Sequence, residues 1–380
     1  MRFPEFSGEW EKKKLKDVCT FYSGGTPSSS NKDYYFGDIP FIRSGELHER
    51  STELFISEDG LNNSSAKMVY KGDLLLALYG ATSGDIAISQ IEGAINQAIL
   101  CINTKHSKEY IKAIWQKHVQ KILQTYLQGG QGNLSADIVK NISFYFTSSK
   151  EQDKLANFIR LLDERIATQN KIIEDLKKLK SAISKQAFAQ KPNGWNRLDT
   201  LFSKGKAGGT PTSTNKEYYN GEIPFLSIND ITKQGKYVRY TENHLSRSGL
   251  ENSSAWVVPE YSLIISMYAS VGLVTINEVP ITTSQAMFAM QLRDKDLLDY
   301  LYYYLSYFKY RHIHKYLETG TQSNINADIV RGIMIPTYGH SRNMKIASTL
   351  QGIDAKIDNE LSVLKLFNRQ KNYLLSQMFI

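Results

Sequence analysis

One domain-sized unit is written twice in this chain, and that fact limits the fold more than any other. GGTPSSSNKDYYFGDIPF begins at Gly24 and GGTPTSTNKEYYNGEIPF begins at Gly208, each a similar distance after a Trp, at Trp10 and Trp195. NSSA recurs at Asn63 and Asn252, an apolar strand ending in Tyr recurs at Tyr79 and Tyr268, and ADIV recurs at Ala136 and Ala327. The spacing between copies grows from 184 residues at the first motif to 191 at ADIV, then stays at 191 through Phe188 and Phe379. A period near 190 is too long for a solenoid repeat, so each copy must bury a core of its own.

Within each copy the hydrophobic period changes along the chain. IPFIRS (39–44), DLLLALYG (73–80), IAIS (86–89) and AILCIN (98–103) read as short strands separated by Gly, Asn and Ser, and IPFLSI (223–228), SLIISMY (262–268), LVTI (273–276) and AMFAMQL (286–292) answer them. An amphipathic helix follows, marked by Ile111, Ile114, Trp115, Val119, Ile122, Leu123 and Tyr126, and by Leu297, Leu298, Leu301, Leu305, Phe308 and Ile313 in the second copy. After a Gly/polar break at 128–139 or 318–330 and a short strand, each copy ends in a long heptad pattern.

Steps of four and three alternate along that pattern, the a/d seam of a coiled coil. The first seam is Leu155, Ile159, Leu162, Ile166, Gln169, Ile173, Leu176, Lys180, Ile183 and Ala187; the second is Ile346, Leu350, Ile353, Ile357, Glu360, Leu364, Phe367, Lys371, Leu374 and Met378. Both polar interruptions recur at the same step. Antiparallel pairing with Lys180 opposite Glu360 and Gln169 opposite Lys371 makes every other layer apolar, including Leu162 with Met378, Ile166 with Leu374, Ile173 with Phe367, Leu176 with Leu364 and Ile183 with Ile357. The alternative is that both lysines leave the seam and snorkel to solvent. A helix of about 40 residues is roughly 60 Å long, enough to hold two bodies about one turn of DNA, ~34–36 Å, apart.

The expected class is therefore α+β: two pseudo-symmetric, strand-rich domains with helices, joined by two long antiparallel coiled-coil helices. The segments are 1–149, 150–190, 191–340 and 341–380.

A net charge of +8 suits a polyanionic partner. The longest apolar runs, LLLALY and LIISMY, are far short of a membrane span, and MRFPEFSGEWEKKKL is not followed by the apolar core of a signal peptide. Two cysteines, Cys19 and Cys101, offer neither a disulfide framework nor a metal cluster, as expected for a reducing cytoplasm.

Catalytic constellations are missing from the sequence. Gly205-Lys206 and Gly235-Lys236 lack the spacing and the Ser/Thr of a phosphate-binding loop, and no Pro-Pro pair exists to build the Asn/Asp-Pro-Pro-aromatic signature of amino-methyltransferases. His312 and His314 are two apart on an expected helix, a poor geometry for one metal. Ser29 with Lys32, and Ser213 with Lys216, have a Ser-x-x-Lys spacing but lie in loops.

What remains are loops suited to contact, kept in outline and altered at their tips. Arg43 and Ser44 correspond to Ser227 and Asn229; the loop after Tyr79, with Thr82 and Ser83, corresponds to that after Tyr268, with Ser270; Gln131 and Asn133 correspond to Gln322 and Asn324. Arg and Asn side chains bond bidentately to guanine and adenine edges, so these are the candidate DNA-binding residues. The GGTP turns have a purely structural reading beside the functional one, positioning a strand.

As an ensemble these residues resemble the specificity (S) subunits of type I restriction-modification systems. The resemblance rests on GGTPSSSNKDYYFGDIPF, the Tyr79-Gly80 loop before INQAI (95–99), and GNLSADIVKNISFYF leading into the first long helix. The second copy departs from it where Glu151-Gln152 becomes Arg342-Asn343 and Leu134 becomes Ile325.

The resemblance implies two target recognition domains (1–149 and 191–340) reading the halves of a split, asymmetric DNA site, and two spacer helices. It implies a non-catalytic chain with no cofactor. Two methylation (M) subunits would bring S-adenosylmethionine, and restriction (R) subunits ATP and Mg2+, docking in part on the stretches 164–178 and 356–369. A two-headed nucleic-acid- or protein-binding adaptor outside restriction-modification is the alternative.

Overall fold

The computed structural model describes residues 2–126, 133–316 and 324–379. Contacts divide the chain into two compact units, one of residues 1–171 and 362–380, the other of residues 172–361. Each unit takes half of each long helix, Ser149–Phe188 and His340–Met378.

In unit 1 an antiparallel sheet runs in the order Cys19–Ser23, Ile99–Thr104, Leu74–Ala77, Ile86–Ile88. Period-two alternation decides which way each residue of the LLLALY run faces. Leu74, Leu76 and Leu78 enter one core with Ile102, Tyr110, Ile114 and Trp115, while Leu75 and Ala77 enter another with Ile42, Val69 and Ile95. Both faces are covered, so the strand reads as a continuous apolar run. A second sheet, ordered Phe55–Ile56, Ile39–Ile42, Gly93–Ile95, Lys67–Val69, closes the second core. A two-stranded ribbon pairs Glu11–Lys14 with Ser143–Phe146.

Unit 2 repeats this plan with one strand gained in the main sheet and one fewer in the second. Its main sheet runs Phe202–Ala207, Met287–Leu292, Leu263–Ser266, Val274–Asn277, and gains Tyr237–Val238 as a fifth strand parallel to the last. The second sheet has Asn243–Leu245, Tyr219–Leu226 and Thr282–Thr283, and the ribbon pairs Gly194–Arg197 with Met334–Thr337.

The helices Lys108–Tyr126 and Leu298–Arg311 pack on the main sheets, each with buried aromatic residues: Tyr110 and Trp115 in one, Tyr300, Tyr303, Tyr304 and Phe308 in the other. The expected stripes fail only at their ends. Tyr126, in the final turn, is 49% exposed, and Ile313 lies in a separate 3-10 turn beyond the cap at His312. His312 and His314 are thus not on one helix.

Every expected seam position of the two long helices is buried or half-buried, including Ile166, Leu176, Ile183, Leu364, Phe367 and Leu374, and including the buried polar residues Gln169 and Glu360. Antiparallel packing within unit 1 follows from two contacts: Asp163 with Lys371, and Arg165 over the Phe367 ring.

The lysines, however, take partners that the register did not give them. Lys180 Nζ lies 2.5 Å from Asp354 and Lys371 Nζ lies 2.6 Å from Asp163. Each four-carbon stem carries its charge out of the apolar seam to a carboxylate on the flank, which avoids burying an ammonium among aliphatic side chains. Glu360 forms an ion pair one turn back, with Lys356 at 2.5 Å. Each lysine leaves the seam as the snorkelling alternative has it, but for a flank carboxylate rather than for solvent.

Candidate nucleic-acid interface

The repeated motifs pack on one another. A side chain on Gly24 would meet the carbonyl oxygen of Ile95 well inside 3.0 Å, and one on Gly25 would meet Ser65; Gly208 and Gly209 stand in the same relation to Thr283 and Ser254. GGTP, NSSA and the loop after Ile95 therefore form one close-packed junction in each unit. Tyr35 Oη donates to the Pro27 carbonyl at 2.7 Å and Tyr219 Oη to that of Pro211 at 2.6 Å, fixing the turn. Thr26 Oγ1 donates to Gln97 at 2.5 Å on the surface, and Thr210 to Gln285 likewise. The structural reading of GGTP accounts for its repetition.

The loops that differ between copies gather beside that frame. Leu134 N–H donates to the Leu78 carbonyl at 2.8 Å, which sets Asn133 beside Tyr79; Ile325 N–H donates to Met267 at 3.0 Å, which sets Asn324 beside Tyr268. Tyr79 and Tyr268 are 36% and 41% exposed at the tips of equivalent strands. Gln131 and Gln322 lie outside the described residues.

Loop geometry is unusual after Tyr268. Ala269 and Ser270 hold φ of 37° and 54°, where side chains are disfavoured, while the first copy has Gly80 at 79°. The Ser270 carbonyl accepts from Ser266 Oγ at 2.7 Å, which holds this turn in place. In the first copy Ser83 Oγ donates to the Leu78 carbonyl at 3.0 Å, and Thr82 is half-buried in the turn Gly80–Thr82.

Internal carboxylates occupy several of the expected readers. Arg43 donates to Glu46 at 3.1 Å from Nε and from a terminal nitrogen, and to Glu53 at 2.6 Å. Ser227 caps the helix Ile228–Gln234 and donates to Asp230 at 2.7 Å, and Asn229 Nδ2 donates to Glu242 at 3.0 Å. Ser44, half-buried, begins the 3-10 turn that Arg43 caps. The free chain thus holds its polar fingers in place with acidic neighbours, and a bound base edge would have to displace them.

One link between loops was not visible in the sequence. His48 Nε2 lies 2.9 Å from Asp85 Oδ2, joining the segment after Arg43 to the loop after Tyr79. The hydrogen bond to Asp85 raises the His48 pKa above its ordinary value, and the bond from His48 lowers that of Asp85. In unit 2 Leu273 follows the corresponding loop and joins an apolar cluster with Ile228 and Ile231 instead.

The departures of the second copy are matched inside each unit. Glu151, buried to 1% exposure, receives Arg2 through bonds of 2.7 and 2.6 Å, whereas Arg342 at the equivalent place donates to Gln190. Leu134 and Ile325 are buried alike. Among the described residues no group of three or more His, Cys, Asp or Glu is placed to hold a metal, and no helix is long and apolar enough to cross a membrane. Both cysteines are buried thiols, and burial pushes Cys101 up to about 11, far from reactive.

Two units of one plan, each holding half of both long helices and each presenting variable loops over a repeated frame, define a tandem recognition protein. The model of the type I restriction modification DNA specificity domain matches residues 7–178 and again 192–365. The chain belongs to that family and carries the domain twice.

Relatives include the specificity subunit of the MjaIX type I restriction enzyme from Methanocaldococcus jannaschii, 26% identical over 59% of this chain and 59% of that one. The HindI specificity subunit of Haemophilus influenzae is 32% identical over 29% of this chain and 24% of its own length. The MjaX subunit, also from M. jannaschii, is 24% identical over 93% and 89%. The match thus spans less than two thirds of the first two relatives and most of the third.

Among solved structures, the S subunit of the type I system from M. genitalium shares the fold with a TM-score of 0.61 and 15% identity, over 98% of this chain and 96% of that one. A chain from a structure of type I complex assembly gives 0.59 and 16%, over 97% of each. These likenesses are of fold.

Proposed function

We propose that this chain is the DNA-reading subunit of a type I restriction-modification complex and that its two specificity domains read the two halves of a split, asymmetric site in double-stranded DNA. The observation that carries the reading is the double match of the specificity domain, at 7–178 and 192–365, on two units of one plan. Residues 1–149 and 191–340 act as target recognition domains, and 150–190 and 341–380 as spacer helices. Base contacts come from the loops around Arg43, Tyr79 and Asn133 and around Asn229, Tyr268 and Asn324, whose tips differ between copies, so the half-sites differ.

Methylation and restriction are supplied by other chains. Two M subunits with S-adenosylmethionine, and R subunits with ATP and Mg2+, would assemble on this one in the cytoplasm. The excess of basic residues steers the complex to DNA in a salt-dependent way.

Retardation of duplex DNA by this chain together with its M subunit tests the reading. Tight binding that collapses when either half-site is scrambled is the expected result. Equal affinity for scrambled duplexes would contradict it.

A further inference from the structure

In each unit one carboxylate gathers three elements. In unit 1, Asp163 on the first long helix takes Lys371 of the second at 2.6 Å through Oδ1, and Lys112 of the sheet-packed helix Lys108–Tyr126 at 3.0 Å through Oδ2. In unit 2, Asp354 on the second long helix takes Lys180 of the first at 2.5 Å through Oδ1, and Tyr303 of the helix Leu298–Arg311 at 2.8 Å through Oδ2. Asp163 and Asp354 are 191 residues apart, as are Lys180 and Lys371, and Lys112 and Tyr303. The geometry is kept although the residue from the sheet-packed helix changes from an ammonium to a phenol.

Placement explains why a carboxylate stands there. Apolar residues also join the sheet-packed helix to the long helices: Ile111, Ile114 and Ile159 share one core, and Leu301, Leu305 and Leu350 share the other. Apolar contact has no direction of its own and restrains rotation only through the fit of side chains, which leaves a scatter of about 15–20° in crossing angle. Two charge-assisted or phenolic hydrogen bonds on the two oxygens of one carboxyl do have direction. Each Asp is about one quarter exposed, at 26% and 24%, so solvent only partly screens these bonds. Neighbouring groups brace both nodes: Gln116 accepts from Lys371 at 3.1 Å, and Lys236, paired with Asp299 at 2.5 Å, donates to Tyr303 at 3.2 Å.

We propose that Asp163 and Asp354 are positioning residues that fix the angle at which each recognition body leaves its long helices, and through that angle the gap between half-sites that the chain accepts. The inference rests on the split-site reading above. The two carboxylates touch no base; they act through the helices that they tie.

The test uses this chain assembled with its methylation subunits, acting on duplexes that keep both half-sites while the gap varies by one base pair either way. Tyr303→Phe keeps the ring and its packing but removes the bond to Asp354, and Lys112→Met removes the bond to Asp163. Each is expected to lower the preference for the native gap by about tenfold, within what an ångström-scale misplacement costs, with half-site sequences and melting temperature little changed. Tyr303→Trp, which restores a ring donor, is expected to recover part of the preference.

An unchanged gap preference in both Tyr303→Phe and Lys112→Met would overturn the proposal, and so would loss of half-site discrimination with the gap preference intact. If the unsubstituted complex methylates with no dependence on the gap at all, the split-site reading fails first and this inference falls with it.

Discussion

Lys180 Nζ lies 2.5 Å from Asp354 Oδ1, a contact between the two long helices inside unit 2 that neither helix's seam announces. The pair is partly buried, at 29% and 24% side-chain exposure. Removing one partner leaves the other desolvated without compensation, which costs about 1–3 kcal/mol. Asp354→Ala should therefore lower the melting temperature by ~2–12 °C, at about 2–4 °C per kcal/mol for a unit of this size. Replacing both by apolar residues, Lys180→Met with Asp354→Leu, should recover most of that loss. Calorimetry on the two variants decides it: a double variant no better than Asp354→Ala would contradict the account.

Asp163 gives a pH dependence with a definite sign. Burial pushes its carboxyl up, but the hydrogen bond from Lys371 and the charge of Lys112 outweigh burial and hold it below the ordinary carboxylate value. A group lowered on folding contributes stability that is present above its unfolded pKa, near 3.9, and lost as pH falls through the folded value. Denaturant titrations from pH 6 down to pH 3 should show a shallower acid loss for Asp163→Asn than for the unsubstituted chain. Parallel curves would mean that the pair contributes nothing.

His48 behaves in the opposite sense. The bond to Asp85 raises its pKa, with Lys112 opposing and Glu49 assisting, so the tie between the two loops is complete below the unfolded value near 6.5 and weakens as pH rises through the folded one. In Asp85→Asn the imidazole should titrate at lower pH, which the ring proton shifts of His48 report directly. An unmoved titration would show that the two side chains do not interact in solution.

The first motif that draws the eye is also the most sensitive to added volume. Gly24→Ala sets a methyl against the Ile95 carbonyl, and Gly208→Ala does the same against Thr283, both backbone atoms that cannot step aside. Overpacking of this kind costs ~1–3 kcal/mol or more, while Gly45→Ala, with open space around it, should cost a few tenths at most. Equal melting temperatures for Gly24→Ala and Gly45→Ala would remove the structural reading of GGTP.

The seam was legible because a/d spacing is a property of one helix: all positions from Leu155 to Ala187 and from Ile346 to Met378 lie on one stripe whatever they meet. Partners were not, because Lys180 and Lys371 reach beyond the residue opposite, to Asp354 and Asp163 on the flank. Strands such as Leu74–Ala77 could be placed from their apolar runs, but the double core behind that run needs the second sheet to be known.

In the candidate interface, the segments of Tyr79 and Asn133 are brought together by a backbone bond, Leu134 to Leu78, between stretches with no common pattern. His48 and Asp85 meet for the same reason across 37 residues. Glu46 was nearest to being readable, three residues after Arg43 as Asp230 is after Ser227, the spacing of a capping pair.

The most direct test of the central claim is to map methylated adenines across the genome of cells with and without this chain. A chain that reads a split site gives a bipartite motif, two unlike half-sites at one fixed gap, that is present only with the chain. A continuous motif, or a methylation pattern that survives deletion of the chain unchanged, would contradict it.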